Sequence, residues 1–113
     1  MTTSIKGTNI VLTVALKKYV NEKIFSLVRF FFGVTQARVE LERTTKHHHK
    51  GEVWRAEANL YGPQHLFRAE ATATDIYAAI DLMKDELKRE FRTLKEKRAI
   101  SVRQARRVKL QQP

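Results

Sequence analysis

The chain has 113 residues, 42% of them hydrophobic, and no cysteine. That suits one domain with a modest apolar core, and it excludes disulfide scaffolds, cysteine zinc sites and thiol nucleophiles. Twenty-two Lys and Arg against twelve Asp and Glu leave a formal net charge of +10. This exceeds what solubility asks of a small domain, so a polyanionic partner is expected, nucleic acid ahead of a membrane surface. The longest strongly apolar stretch, Leu27 to Val34, is too short to span a bilayer and is interrupted by Arg29. The opening MTTSIKGTNI lacks the basic start and apolar run of a secretory signal, which makes a cytoplasmic location the expectation.

Thr3 to Asn9 reads as a first strand, with Gly7 and Asn9 marking its end. Thr13 is placed to cap a helix over VALKKYVNEKIFSLVRFF. Within it Leu16, Val20, Ile24, Leu27 and Phe31 recur every three or four residues as one apolar stripe, and Gly33 stands where a helix stop belongs. From Gln36 to Thr45 the period changes to two. Ala37, Val39 and Leu41 alternate with Arg38, Glu40 and Glu42, which predicts a half-buried strand.

Thr44 to Gly51 is polar and predicts a loop. A third strand follows, with Trp54, Ala56, Ala58 and Leu60 on its apolar side. Gly62 and Pro63 then make a turn into a fourth strand, His65 to Ala73, with Phe67, Ala69 and Ala71 inward. Short connections favour an antiparallel meander for the last three strands. After Thr74 and Asp75, the apolar residues Ile76, Ile80, Met83, Leu87, Phe91 and Leu94 define a long amphipathic helix that loses its period at Arg98.

The order is strand, helix, three strands, helix. Each strand has one apolar face and each helix one apolar stripe, so an α+β fold is predicted, β-α-β-β-β-α. Its four-stranded sheet carries both helices on one face and leaves the other face wet. Residues 1–98 form the domain; residues 99–113, with Arg103, Arg106, Arg107, Lys109 and no acid, are expected to form a flexible basic tail.

Charge is apportioned unevenly. Residues 1–74 carry a net +5, residues 75–98 only +1, and the tail +4. At about 100° per residue, Lys84, Lys88, Arg92 and Lys95 fall on one flank of the second helix, with Tyr77 at its start and Asp81 as a dissenting acid. Glu86 and Glu90 fall on the opposite flank. The macrodipole acts along the axis and does not explain lateral segregation, whereas a ridge of cations can track phosphates along RNA. On the first helix Lys18 and Arg29 share the outward face with Glu22 and Phe25. Phe25 is expected to pack at an edge of the core, with base stacking as the alternative; Trp54 is expected in the core.

His47, His48 and His49 are consecutive in the predicted loop and read as a solvated, weakly basic segment rather than a metal site. Only four glycines are present, scattered at 7, 33, 51 and 62, so no phosphate-cradling loop can be drawn. His65 stands alone, and Glu40, Glu42, Glu57 and Glu70 lie on polar strand faces, where solvated charge is expected. No catalytic residue, metal, cofactor or small-molecule substrate is predicted.

Two stretches carry a family resemblance: Ile5 to Ile24, IKGTNIVLTVALKKYVNEKI, and Ala73 to Arg98, ATDIYAAIDLMKDELKREFRTLKEKR. Both resemble the bacterial hibernation-promoting factor and ribosome-associated inhibitor A family in its short form. Asp75-Ile76-Tyr77-Ala78-Ala79-Ile80-Asp81 is the most specific part. The resemblance implies a factor that binds the small ribosomal subunit and the 70S ribosome in the channel for messenger and transfer RNA. It would rest basic helices on ribosomal RNA, blocking translation and preserving idle ribosomes under stress. It further implies that Lys84, Lys88, Arg92, Lys95 and Tyr77 make the contacts, with Arg89, Arg98, Lys18 and Arg29 as outer members. A free monomer is expected, without the second, dimerising domain of long members. The competing expectations are a general double-stranded RNA-binding module and a protein-interaction adaptor whose charge serves solubility.

Overall fold

The computed structural model describes residues 1–29, 33–44 and 53–111. Phe31, most of the loop expected between residues 44 and 51 with His47, His48 and His49, and the last two residues lie outside the described ones. The element order is β1 (Thr2–Thr8), α1 (Val14–Val28), β2 (Gln36–Arg43), β3 (Trp54–Tyr61), β4 (Leu66–Ala73) and α2 (Ile76–Gln111). The strands form one sheet in chain order, and the α+β architecture matches the one predicted from periodicity.

β1 pairs parallel to β2, with Ile5 opposite Val39, while β2, β3 and β4 form an antiparallel meander. A parallel neighbour needs a crossover, which α1 supplies. Asn9, at φ 56°, turns the chain out of β1; asparagine is among the few side chains that tolerate that region. Thr13 caps α1, its hydroxyl accepting from the Leu16 N–H at 3.1 Å. α1 ends at Val28, with Arg29 as its C-cap, so it is shorter than the apolar period implies. Gly33, at φ 109°, lies not at the helix stop but in the turn entering β2, where a side chain would be strained.

The core lies between the sheet and both helices. The sheet supplies the alanines Ala37, Ala56, Ala58 and Ala69 beside the larger Val39, Leu41, Leu60 and Phe67, all fully or nearly buried; the helices supply Val20 and Ile24 from α1 and Ile80, Met83 and Leu87 from α2. The alanines let the helices sit close on the sheet without voids. Phe67 and Phe91 meet edge to face at 4.5 Å, joining the start of β4 to a late turn of α2. α2 therefore runs antiparallel to β4. Trp54 is half-buried against this core, as its strand parity implies, under the Arg43 guanidinium at 5.6 Å.

Two expectations change. Phe25 is 64% exposed and does not pack at the core edge; its position on α1 falls away from the stripe of Leu16, Val20, Ile24 and Leu27. The basic segment after Arg98 is not irregular, because the helical backbone of α2 continues to Gln111. Periodicity ends there, but residues 99–111 contain neither glycine nor proline, so nothing in the chain stops a helix already nucleated by packing. Leu94 is the last α2 side chain that packs against the core among the described residues. A helix of 36 residues is about 54 Å long, against about 26 Å for the eight-residue strands. α2 thus projects well past the sheet, which accounts for the 64 Å long dimension.

Ile80 is completely buried under α2. Ile80→Ala is expected to lower the unfolding free energy by about 2–5 kcal/mol, read from the midpoint of urea denaturation with unchanged slope.

Candidate nucleic-acid interface

The rotation of α2 on the sheet decides where its charges go. Ile76, Ile80, Met83 and Leu87 are buried against the strands, which leaves two flanks and an outer face. One flank faces the free edge of β4. There Glu90 accepts a hydrogen bond from the Arg68 backbone N–H at 3.1 Å, and Glu86 pairs with Arg89 at 2.8 Å. Glu90 occupies an edge donor that would otherwise be open to another strand. The acidic flank recognised in the sequence therefore has a structural use.

The other flank faces α1. Tyr77 meets Tyr19 edge to face at 4.9 Å. Asp81 accepts a hydrogen bond from the Tyr19 hydroxyl at 2.6 Å and pairs with the Lys23 ammonium at 3.5 Å. Lys84, Lys88, Arg92 and Lys95 continue the same flank within an arc of about 80°. Lys84 is half-buried and the other three exposed. None of the four has an ion-pair partner among the described residues. The acid that precedes them, Asp81, is engaged by α1, so what this flank presents outward is positive.

The remaining candidates distribute around this ridge. Lys18 and Arg29 are exposed on α1, and Arg98 is exposed on the projecting part of α2. Arg89 does not join the ridge, because it pairs with Glu86 on the opposite flank. Lys23 was not among the sequence candidates. Its i+4 spacing from Tyr19 marks a shared face, but nothing in one helix says which residue of the other helix it will meet.

The open face of the sheet has a different character. Glu40, Glu57 and Glu70 stand directly opposite one another across β2, β3 and β4, a row of like charges that is destabilising alone. Arg55 resolves it. Its Nε donates to Glu70 at 2.6 Å, one terminal nitrogen donates to Glu40 at 3.1 Å and Glu42 at 3.2 Å, and the other donates to Glu57. The Arg55 side chain is 17% exposed. The hydrogen bond to Glu70, outweighing the opposing cost of burial, raises the guanidinium above its already high ordinary range. The four glutamates are thus tied to one arginine rather than merely solvated, and this face offers little attraction to a polyanion.

Arg55→Met is expected to destabilise the fold by about 1–3 kcal/mol at neutral pH and low salt. The glutamates left together would take up protons more readily when folded. Stability of the variant should therefore recover as pH falls toward about 4 or as salt is added, measured by thermal unfolding across pH.

Among the described residues no group of three or more His, Cys, Asp or Glu is placed to hold a metal ion, and no helix is long and apolar enough to cross a membrane.

A family model described as Sigma 54 modulation protein / S30EA ribosomal protein matches residues 3–99. A ribosome hibernation promotion factor of Deinococcus radiodurans is 36% identical over 92 residues, 80% of this chain and 47% of that protein. One of Staphylococcus aureus is 32% identical over 91 residues, 80% of this chain and 46% of that protein. The chain thus spans about half the length of these curated relatives. The crystal structure of the Thermus thermophilus Protein Y N-terminal domain superposes with a TM-score of 0.66 at 33% identity, covering 80% of this chain and 94% of that one. A ribosomal subunit interface protein from Coxiella burnetii shares the fold, with a TM-score of 0.73 at 18% identity, covering 85% of this chain and 99% of that one.

Proposed function

The chain belongs to the Sigma 54 modulation protein / S30EA ribosomal protein family, and from that premise we propose that it is a ribosome hibernation factor. It binds the small ribosomal subunit, alone or within the 70S ribosome, in the channel for messenger and transfer RNA, and holds idle ribosomes out of translation under stress. The names of its relatives support the ribosomal partner. The observation that carries the reading is the α2 flank of Lys84, Lys88, Arg92 and Lys95, none of which has an ion-pair partner among the described residues.

The mechanism is steric occlusion held by electrostatics. Four cations spaced three or four residues apart rise along one side of a rigid helix, a spacing that suits successive phosphates of an RNA backbone. Tyr77, at the start of the ridge and partly exposed, adds an aromatic edge. Lys18 and Arg29 widen the contact onto α1, and Arg98 lies on the part of α2 that runs past the sheet. No bond is made or broken, so no catalytic group is required. The protein acts as a free monomer in the cytoplasm, and it needs no cofactor. A duplex-reading RNA module remains distinguishable by its indifference to ribosomal context.

Lys88→Glu with Arg92→Glu is expected to abolish co-sedimentation with small subunits and 70S ribosomes while leaving the unfolding midpoint near wild type, since both side chains are exposed. Wild-type affinity should fall with salt with a log–log slope of about −3, for four phosphate contacts. Excess structured RNA duplex should not strip the protein from ribosomes. Wild-type sedimentation of the double variant, a flat salt response, or displacement by duplex would each overturn the assignment of the ridge or of the partner.

A further inference from the structure

An acid stands at the start of the cation ridge. Asp81 shares the flank of Lys84, Lys88 and Arg92, and a carboxylate there opposes phosphate binding if its charge faces outward. Its side chain is 49% exposed, yet its contacts run inward across the seam between the helices. Tyr19 donates its hydroxyl hydrogen to Asp81 at 2.6 Å. The Lys23 ammonium lies 3.5 Å from the same oxygen and 4.9 Å above the Tyr19 ring. The Tyr19 ring in turn sits edge-on to Tyr77 at 4.9 Å. Tyr19 and Lys23 are one turn apart on α1, as Tyr77 and Asp81 are on α2, so two rungs close between parallel helices.

We propose that Tyr19, Lys23 and Asp81 form a clasp that sets the rotation of α1 against α2, and that Asp81 is a positioning residue for RNA binding rather than an opponent of it. This rests on the ribosomal reading above. Below the clasp, α1 touches the rest of the molecule mainly through apolar side chains, which resist separation but are tolerant of rotation. A directional hydrogen bond to a carboxylate is less tolerant. With α1 fixed, the exposed Lys18 and Arg29 keep one placement relative to Lys84 and Lys88 on α2, so a single rigid RNA surface can meet both helices. Consistent with this geometry, the bond to Asp81 raises Tyr19 above its ordinary range of about 10, and the charge of Asp81 raises Lys23.

The sign of one substitution tests the idea. Asp81→Asn removes a negative charge from a cationic ridge, so electrostatics alone predicts tighter binding; the clasp predicts weaker binding, by about threefold to tenfold. Affinity of the full chain for purified small subunits would be measured at fixed salt, at a temperature where all variants are folded. Tyr19→Phe, which keeps the ring, should lose a similar factor, and the double variant no more than Tyr19→Phe alone, because Asp81→Asn takes the charge from, and Tyr19→Phe removes, the same bond. A role in stability alone would move the unfolding midpoint and leave affinity unchanged. Without ribosomes, Tyr19 of the wild type should titrate above 10 and return toward it in Asp81→Asn.

Unchanged or tighter binding by Asp81→Asn, or full additivity of the two substitutions, overturns the clasp while leaving the ribosomal reading intact. Absence of wild-type binding to small subunits overturns both.

Discussion

Burial of Ile80, Met83 and Leu87 on a sheet lined with alanines fixes how α2 is rotated about its own axis. The charges that α2 shows to its neighbours and to solvent follow from that angle. Rotated by one residue, about 100°, the same helix would turn either its lysines or its glutamates into the sheet. In the observed rotation Glu90 closes the strand edge, Asp81 reaches Tyr19, and the cations between Lys84 and Lys95 stay in water. Hydrophobic burial has no direction of its own, yet here it selects which charges are consumed within the protein and which remain for a partner.

The two helices divide the work unequally. α1 is short, ends with the sheet and is tied to its neighbour by side-chain contacts as well as by the core. α2 is long, and its far half has no sheet beneath it. Packing over the first five turns supplies the nucleus, and the remainder extends at the small cost of adding residues to an existing helix. The helical backbone therefore runs on from the ridge of Lys84, Lys88, Arg92 and Lys95 to Gln111, and the sequence after Arg98 carries four further basic residues and no acid.

Much of this was legible from residue order alone. Alternation in Ala37-Val39-Leu41 and the three-four spacing from Ile76 to Leu94 give both the elements and their inner faces, because each period reflects a fixed backbone geometry. The flank of Lys84, Lys88, Arg92 and Lys95 follows from the same arithmetic. What a period cannot supply is register between elements. The meeting of Tyr19 with Asp81 joins positions 62 residues apart, and Arg55 is an ordinary polar-face residue until strand pairing sets Glu40, Glu57 and Glu70 in line around it. The end of α2 escaped for a different reason. Loss of amphipathicity signals loss of a packing surface, and it does not by itself signal a stop.

The arginine held by four glutamates on the open face bears on how the molecule moves before it touches anything. Lys6, Arg38, Arg55 and Arg68 on that face balance Glu40, Glu42, Glu57 and Glu70, so the net charge of +10 is displaced toward the helices. A body charged on one side has a dipole, and in the field of a polyanion a dipole feels a torque as well as a pull. On approach to a polyanion such a molecule would be turned with its helices leading. That torque acts within a Debye length of about 8 Å at physiological salt, where an encounter that begins sheet-first would be rotated toward the helices.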